Sequence, residues 1–216
     1  HGMTDDIFRL GHKDRMYRYL RRLEEENRAG LRDYMDYLDD LRMLHIPMTD
    51  AALFPKNFEA EHLNIAEERR EKERSIERAA LAKKNRMFRK LLPRIRELYE
   101  CEDENLKIVI PTCKEDFQEE GRNNHNCVGG SDFDKMLQEN CVVVFLRQKE
   151  DLSKSYCTVE FDTHGRVRQN RGMYNKEAPP EAEDFINKLS ADVQRKIKEQ
   201  EMREMRKAER LEVTAG

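Results

Sequence analysis

Between Lys13 and Leu44 apolar residues recur at Met16, Leu20, Leu23, Leu31, Met35, Leu38 and Leu41. Their steps of three, four or eight keep one stripe on one face of a helix. Gly30 interrupts the pattern and predicts a break between two helices. Ile46-Pro-Met-Thr-Asp50 ends the run, because Pro47 pushes the residue before it out of helical geometry. A connector, Ala52-Leu-Phe-Pro-Lys56, leads to Asn57, a suitable cap for the next helix. From Phe58 to about Lys90 the chain is dense in Glu, Arg and Lys, with sparse apolar positions at Ile65, Ile76, Ala79, Ala80 and Leu81. That pattern predicts a solvated helix held by charge pairs three and four apart. Pro93 predicts a kink or a restart before Ile95, Leu98 and Tyr99.

The period changes after Glu100. Leu106-Lys-Ile-Val-Ile110, closed by Pro111, reads as a strand. Thr112 with Glu115 has capping-box spacing and opens a helix to about Arg122. Ser131 is placed to cap a short helix reaching Asn140. Cys141-Val-Val-Val-Phe-Leu146, the most apolar run, predicts a buried central strand. Ser155-Tyr-Cys-Thr-Val-Glu-Phe161 alternates, and the turn Asp162-Thr-His-Gly165 joins it to Arg166-Val-Arg-Gln-Asn170 as a hairpin. Pro179-Pro180 starts a last helix through Phe185, Ile186, Leu189, Val193 and Ile197, which turns almost wholly charged towards Leu211. The fold class is therefore α+β: long N-terminal helices, a small mainly antiparallel sheet with short helices, and a long C-terminal helix. Residues 1–99 read as a helical region, 100–189 as an α+β module and 190–216 as a charged helical extension.

Composition fits long helices with one buried stripe, since 39% of the 216 residues are charged and 38% hydrophobic. A net charge of −3, from 41 basic and 44 acidic residues, gives no strong global field for nucleic acid. The best local basic patch is Lys83, Lys84, Arg86, Arg89 and Lys90. The plainer reading, and the one favoured, is a solvated helix face. Cys101, Cys113, Cys127, Cys141 and Cys157 are odd in number and have no CxxC spacing, which points to free thiols in a reducing, cytoplasmic setting. His125 and Cys127 could give a metal two ligands, but no second close pair completes a site, so no metal is expected. No apolar run approaches the ~20 residues of a membrane span, and no leader opens the chain. No membrane association is expected, and no cofactor is identified. His1-Gly2 ahead of Met3 reads as a leftover of cloning.

Candidate chemistry begins at Arg122-Asn-Asn-His-Asn-Cys-Val-Gly-Gly130. A thiol two residues from an imidazole can be activated as a thiolate. Gly129 and Gly130 permit a sharp turn or a close approach to a ligand. The alternative is a buried cysteine packing a glycine-dependent loop. Beyond the loop, Thr158 and Glu160 lie two apart on one strand, as do Gln169 and Arg171 on the next, so each pair shares a face. With Arg147 and Asn175 they could meet the His125–Cys127 loop and form a site for an anionic or nucleotide-like ligand, because a guanidinium fork matches phosphate or carboxylate. Ordinary cross-strand charge pairs are the competing reading.

Ile108-Val-Ile-Pro111, His125-Asn-Cys-Val-Gly129, Val144-Phe-Leu-Arg147, Tyr156-Cys-Thr-Val-Glu160, Gln169-Asn-Arg-Gly172 and Asn175 occur in an order that resembles the PcfJ-like family. The resemblance runs from about Leu106 to Leu189, and the helical region before it is similar in kind, including Leu53-Phe-Pro-Lys56 and Leu98-Tyr-Glu-Cys-Glu-Asp103. It implies a setting in bacterial conjugative plasmids, phages and related mobile elements. It implies motif positions at His125, Cys127, Gly129, Arg147, Glu160, Gln169, Gly172 and Asn175, and assigns no reaction to them. Where the family pattern has a second histidine before the cysteine and a tyrosine after the glycine, this chain has Asn126 and Gly130-Ser131.

Three functions fit these residues. The first is a non-enzymatic accessory protein of a mobile element or defence system, binding a protein partner or its own copy through the helices while the α+β module holds a ligand. The second is an enzyme acting on a nucleotide, nucleic acid or protein side chain. Cys127 would be its nucleophile, His125 or Glu160 its base, and Arg147 or Arg171 its anion clamp. The third is a direct nucleic-acid binder using Lys83 to Lys90 and the basic strand Arg166 to Arg171, with steeply salt-dependent affinity.

Overall fold

The computed structural model describes residues 13–26 and 29–215, with side chains to 208; His1-Gly2 lie outside the described residues. The chain packs as two units, 1–79 and 80–216. The division falls inside a helix, so packing changes hands at a different place from the composition.

In the first unit α1 (Lys13–Glu25) and α2 (Leu31–Met43) flank the predicted break. Gly30 is the cap of α2, and its N–H donates to Asp33 at 2.9 Å. Then follow the short α3 (Asp50–Leu53) and α4 (Phe58–Tyr99), the latter capped by Asn57, whose Oδ1 accepts from the Ala60 N–H. The expected leucine and methionine stripe is only half the core. Leu23, Leu38 and Leu41 are buried, but Leu31 is 54% exposed, and Tyr19, Tyr34 and Tyr37 fill the space instead. Their hydroxyls explain why. Tyr19 donates to the Pro55 carbonyl, Tyr34 to Leu53 and Tyr37 to Ala52, each at 2.7 Å. The carbonyls freed where α3 ends are thus satisfied by phenols, while the rings supply apolar area around Phe58. Beyond Ile65, α4 is exposed and laced by ion pairs such as Arg69–Glu73 and Glu67–Arg70, as its charge pattern predicts.

The second unit begins with the remainder of α4. Its buried stripe is Phe88, Leu92, Ile95 and Tyr99, and it runs unbroken through Pro93. Pro93 was expected to kink or restart the helix. It lies on the exposed face between the buried Leu92 and Ile95, and packing of that stripe outweighs the lost backbone bond. Next come β1 (Leu106–Val109), α5 (Lys114–Asn124), a 3-10 turn at Cys127–Gly129, and α6 (Asp132–Leu137). The cap of α5 differs from the expected Thr112–Glu115 box. Cys113 holds the cap position, and the Asp116 carboxylate accepts from the Thr112 N–H at 2.6 Å and its hydroxyl at 2.9 Å. α6 stops short of Asn140, where Glu139 turns left-handed with φ 57°.

β2 (Val142–Gln148), β3 (Cys157–Phe161) and β4 (Val167–Arg171) complete a four-stranded sheet in the order β1-β2-β3-β4, antiparallel throughout. A second 3-10 turn (Met173–Asn175) and α7 (Pro180–Ala215) follow. The register pairs Val144 with Val159 on one face of the sheet and Phe145 with Thr158 on the other. On the second face Phe145 meets Phe117 of α5, which also packs against Phe88 and Phe133. On the first, Phe161 packs against Tyr99 at 5.0 Å. α7 closes the β3–β4 hairpin, where the Ser190 hydroxyl donates to the Gly165 carbonyl at 2.8 Å. Both outer strands carry a single extra bridge, Glu102 to Lys107 on β1 and Arg171 to Glu177 on β4.

Candidate functional site

Strand register determines which side chains of the hairpin meet. Glu160 stands directly opposite Gln169, and Thr158 opposite Arg171, so all four project from one face as their spacing predicts. The loop after α5 crosses that face. His125 ends α5 in the left-handed region, with φ 48° and ψ 47°, and Asn126 accepts from the Val128 N–H to start the 3-10 turn. The turn lies close to α5 because both sides lack a side chain. A Cβ on Gly121 would come within 2.9 Å of the Gly129 nitrogen, and one on Gly129 within 3.1 Å of the Gln118 Cα. Gly129 therefore sets the loop against the helix; it does not line the site.

The result is a pocket of about 30 Å³. Asn126, Cys127 and Asp132 come from the loop side, Thr158, Glu160, Gln169 and Arg171 from the sheet, and Asn175 from the second 3-10 turn. Glu160 accepts from Arg168 at 3.1 Å, and Asp132 from Lys135 at 2.7 Å, so both carboxylates have a cation beside them. No ion pair engages Arg171 among the described residues. His125 stands next to the pocket and not in its wall. Its ring lies flat on that of Tyr174, centroids 4.6 Å apart and planes 2° from parallel.

Beneath the pocket is a buried polar network. Glu120 of α5 is 1% exposed and takes both Arg147 Nη atoms, at 3.2 and 2.5 Å. The same carboxylate accepts from Asn124 at 2.8 Å, Ser155 at 2.8 Å and Thr158 at 3.1 Å. Asn124 and Asn126 in turn donate to the Thr158 hydroxyl oxygen. Thr158 thus joins the network to the pocket wall. Arg147 was expected as an anion clamp. The structure corrects this: its fork is occupied by Glu120, and its guanidinium lies over the Phe145 ring at 5.2 Å.

Cys127 is exposed, whereas Cys141 and Cys157 are buried and Cys101 and Cys113 half-buried. Burial pushes the Cys141 thiol up to about 11, with Glu160 adding to the effect, and the Cys157 thiol up to about 12. Burial also raises Cys101 and Cys113. Those four are therefore held as protonated thiols, and Cys127 is the one that faces solvent and the pocket together.

The PcfJ-like protein family model matches residues 33–187, which takes in part of the first unit and most of the second. The chain belongs to the PcfJ-like family. It is 27% identical over 175 residues to an uncharacterized protein of Listeria innocua, an alignment covering 80% of this chain and 37% of that protein. The chain thus spans well under half the length of this curated relative. No solved structure matches it.

Of the positions that the resemblance marks, Cys127, Glu160, Gln169 and Asn175 line the pocket, while Gly172 is buried outside it, near the Tyr156 carbonyl and the Cys157 thiol. Gly130 lies outside the wall. Sequence reasoning missed Glu120, Asn124 and Tyr174. Glu120 and Asn124 had a signal, because with Phe117 they fall at spacings of three and four on one helical face. Tyr174 had none. In the basic patch Lys83, Arg86 and Lys90 share one exposed face by helical spacing, while Lys84 pairs with Asp134 at 2.7 Å. Among the described residues no cluster of three His, Cys, Asp or Glu is placed to hold a metal, and no helix is long and apolar enough to cross a membrane.

Proposed function

We propose that the protein is a cytoplasmic accessory component of a bacterial mobile element or defence system, whose α+β unit binds a small polar ligand and whose charged helices contact a protein partner or a second copy. The observation that carries the ligand reading is convergence. The loop after α5 and the distant β3–β4 hairpin with the turn that follows it bring Asn126, Cys127, Thr158, Glu160, Gln169, Arg171 and Asn175 to one pocket. Amides, a guanidinium and carboxylates together suit a ligand with both donors and an anionic group. Cys127 reports on occupancy because it lies in the wall. The test is the alkylation rate of Cys127 in the intact chain, with and without a low-molecular-weight extract of bacterial cells. Protection that disappears in Arg171→Ala supports the reading; an unchanged rate counts against it. Sedimentation at high concentration tests the helical contacts, and a clean monomer argues against self-association.

A second reading is an enzyme in which Cys127 is the nucleophile and Glu160 the base. It is favoured by one observation: the exposed thiol is the one in the pocket. An apparent Cys127 pKa well below the ~8.5 of a free thiol supports it, and an ordinary value argues against it.

A further inference from the structure

His125, Tyr174 and Asn175 all have left-handed backbone, with φ of 48°, 58° and 58°. Histidine and asparagine enter that region at modest cost, but a tyrosine there is an outlier, and such residues concentrate where structure serves a ligand. The strain does not serve the core. Tyr174 is 60% exposed and His125 is exposed as well, so their parallel stack buries little apolar area. The two rings instead stack face to face as a solvent-exposed plate, and a further ring can add only on an outer face of that stack. Asn126 and Cys127 follow His125 directly, Asn175 follows Tyr174, and all three line the pocket. The plate therefore stands at the pocket's mouth, between its two walls that do not belong to the sheet.

Size divides the labour between plate and pocket. A space of about 30 Å³ suits a compact phosphate or hydroxyl group better than a whole heterocycle. Inside it, Arg171 offers a guanidinium without an ion-pair partner among the described residues, and Gln169 and Asn175 add amides. Glu160 and Asp132 supply acceptors for hydroxyls. A planar ring carried by the same ligand then lies outside, on an outer face of the plate. We infer that the ligand is a nucleoside monophosphate, its base stacked on the His125–Tyr174 plate and its sugar-phosphate directed at Arg171, Gln169 and Asn175. The inference rests on the pocket reading above and specifies its ligand class.

Calorimetric titration of the full chain with AMP and with ribose 5-phosphate separates base from sugar-phosphate. AMP is expected to bind about tenfold more tightly or better, since stacking one base contributes about 1–3 kcal/mol. Tyr174→Asn removes the ring while keeping a residue suited to left-handed backbone, and should weaken AMP by about tenfold without changing ribose 5-phosphate. Tyr174→Phe keeps the plate and should retain AMP affinity. His125→Asn removes the other ring from a cap position that asparagine tolerates, and should also weaken AMP. Equal binding of the two ligands, AMP affinity unaffected by Tyr174→Asn, or no AMP binding at millimolar concentration overturns the nucleotide assignment. If the cell extract protects Cys127 through Arg171 while AMP fails, the pocket reading stands and the ligand class falls. If both fail, both readings fall.

Discussion

The two units differ in how they bury most of their polar groups, although the helical unit also holds Asp40 against Arg69. The helical unit uses neutral phenols: Tyr19, Tyr34 and Tyr37 each donate to a carbonyl of the segment from Ala52 to Pro55. The α+β unit buries a carboxylate against a guanidinium and surrounds the pair with Ser155, Thr158 and Asn124. A phenol brings its own apolar area and loses little on desolvation. An ion pair loses a great deal and gains mainly orientation. The difference teaches where each unit needs accuracy. The phenols hold a connector in place, while the ion pair fixes Thr158 and, through it, Asn126 in the pocket wall.

Breaking the ion pair should give the largest effect. Arg147→Met leaves the Glu120 charge buried and should cost about 3–5 kcal/mol, seen as loss of hydrogen-exchange protection in residues 80–216 first. Adding Glu120→Leu should restore much of that stability. If the pocket geometry then still holds, with Cys127 reactivity unchanged, the pair is not what orients Thr158. Gly121→Ala comes next. Its Cβ meets the Gly129 backbone nitrogen, and the overpacking should cost about 1–3 kcal/mol and displace the Cys127 turn.

The helical unit should respond more mildly to single changes and more sharply to alkali. Tyr34→Phe removes one bond to the Leu53 carbonyl and should cost about 1 kcal/mol, somewhat more if water cannot reach that oxygen. Burial lifts the Tyr19 phenol from 10.0 to about 12 and raises Tyr34 and Tyr37 further. The folded unit therefore keeps protons that the unfolded chain releases above 10. The phenol contribution is complete below pH 10 and is lost as pH rises through the folded values. Melts between pH 9 and about 12, followed by phenolate absorbance, should show this fall in the helical unit. A flat profile would mean the phenols are not held as the geometry places them. The smallest expected effect is on reactivity alone: in the native chain Cys127 should alkylate ahead of the four raised thiols, with no change in stability.

The sheet and the pocket were legible in the sequence to different depths. Alternation placed Thr158 with Glu160 and Gln169 with Arg171 on shared faces, and the glycine turn paired their strands. Period and turn chemistry are local, so they can be read from the chain. Arg147 misled because an arginine on a strand end looks the same whether it faces a ligand or a buried carboxylate. Its partner, Glu120, lies 27 residues away on a helix that reads as polar. The tyrosines of the first unit are hidden for a similar reason, since leucine spacing alone accounts for a stripe. The continuity of α4 through Pro93 depends on packing by Phe88, Leu92 and Ile95, which no local rule contains.

The two isolated bridges at the borders of the sheet bear on how the protein behaves in a crowded cell. An unpaired border strand is a template for a neighbouring chain, and five-residue strands such as β4 are long enough to recruit one. Here Lys107 already has Glu102 beside it on one border, and Arg171 has Glu177 on the other. Each short return segment occupies backbone groups that fibril growth would need and sets charge at the same place. A border strand of the sheet so marked offers fewer free backbone groups to a neighbouring strand.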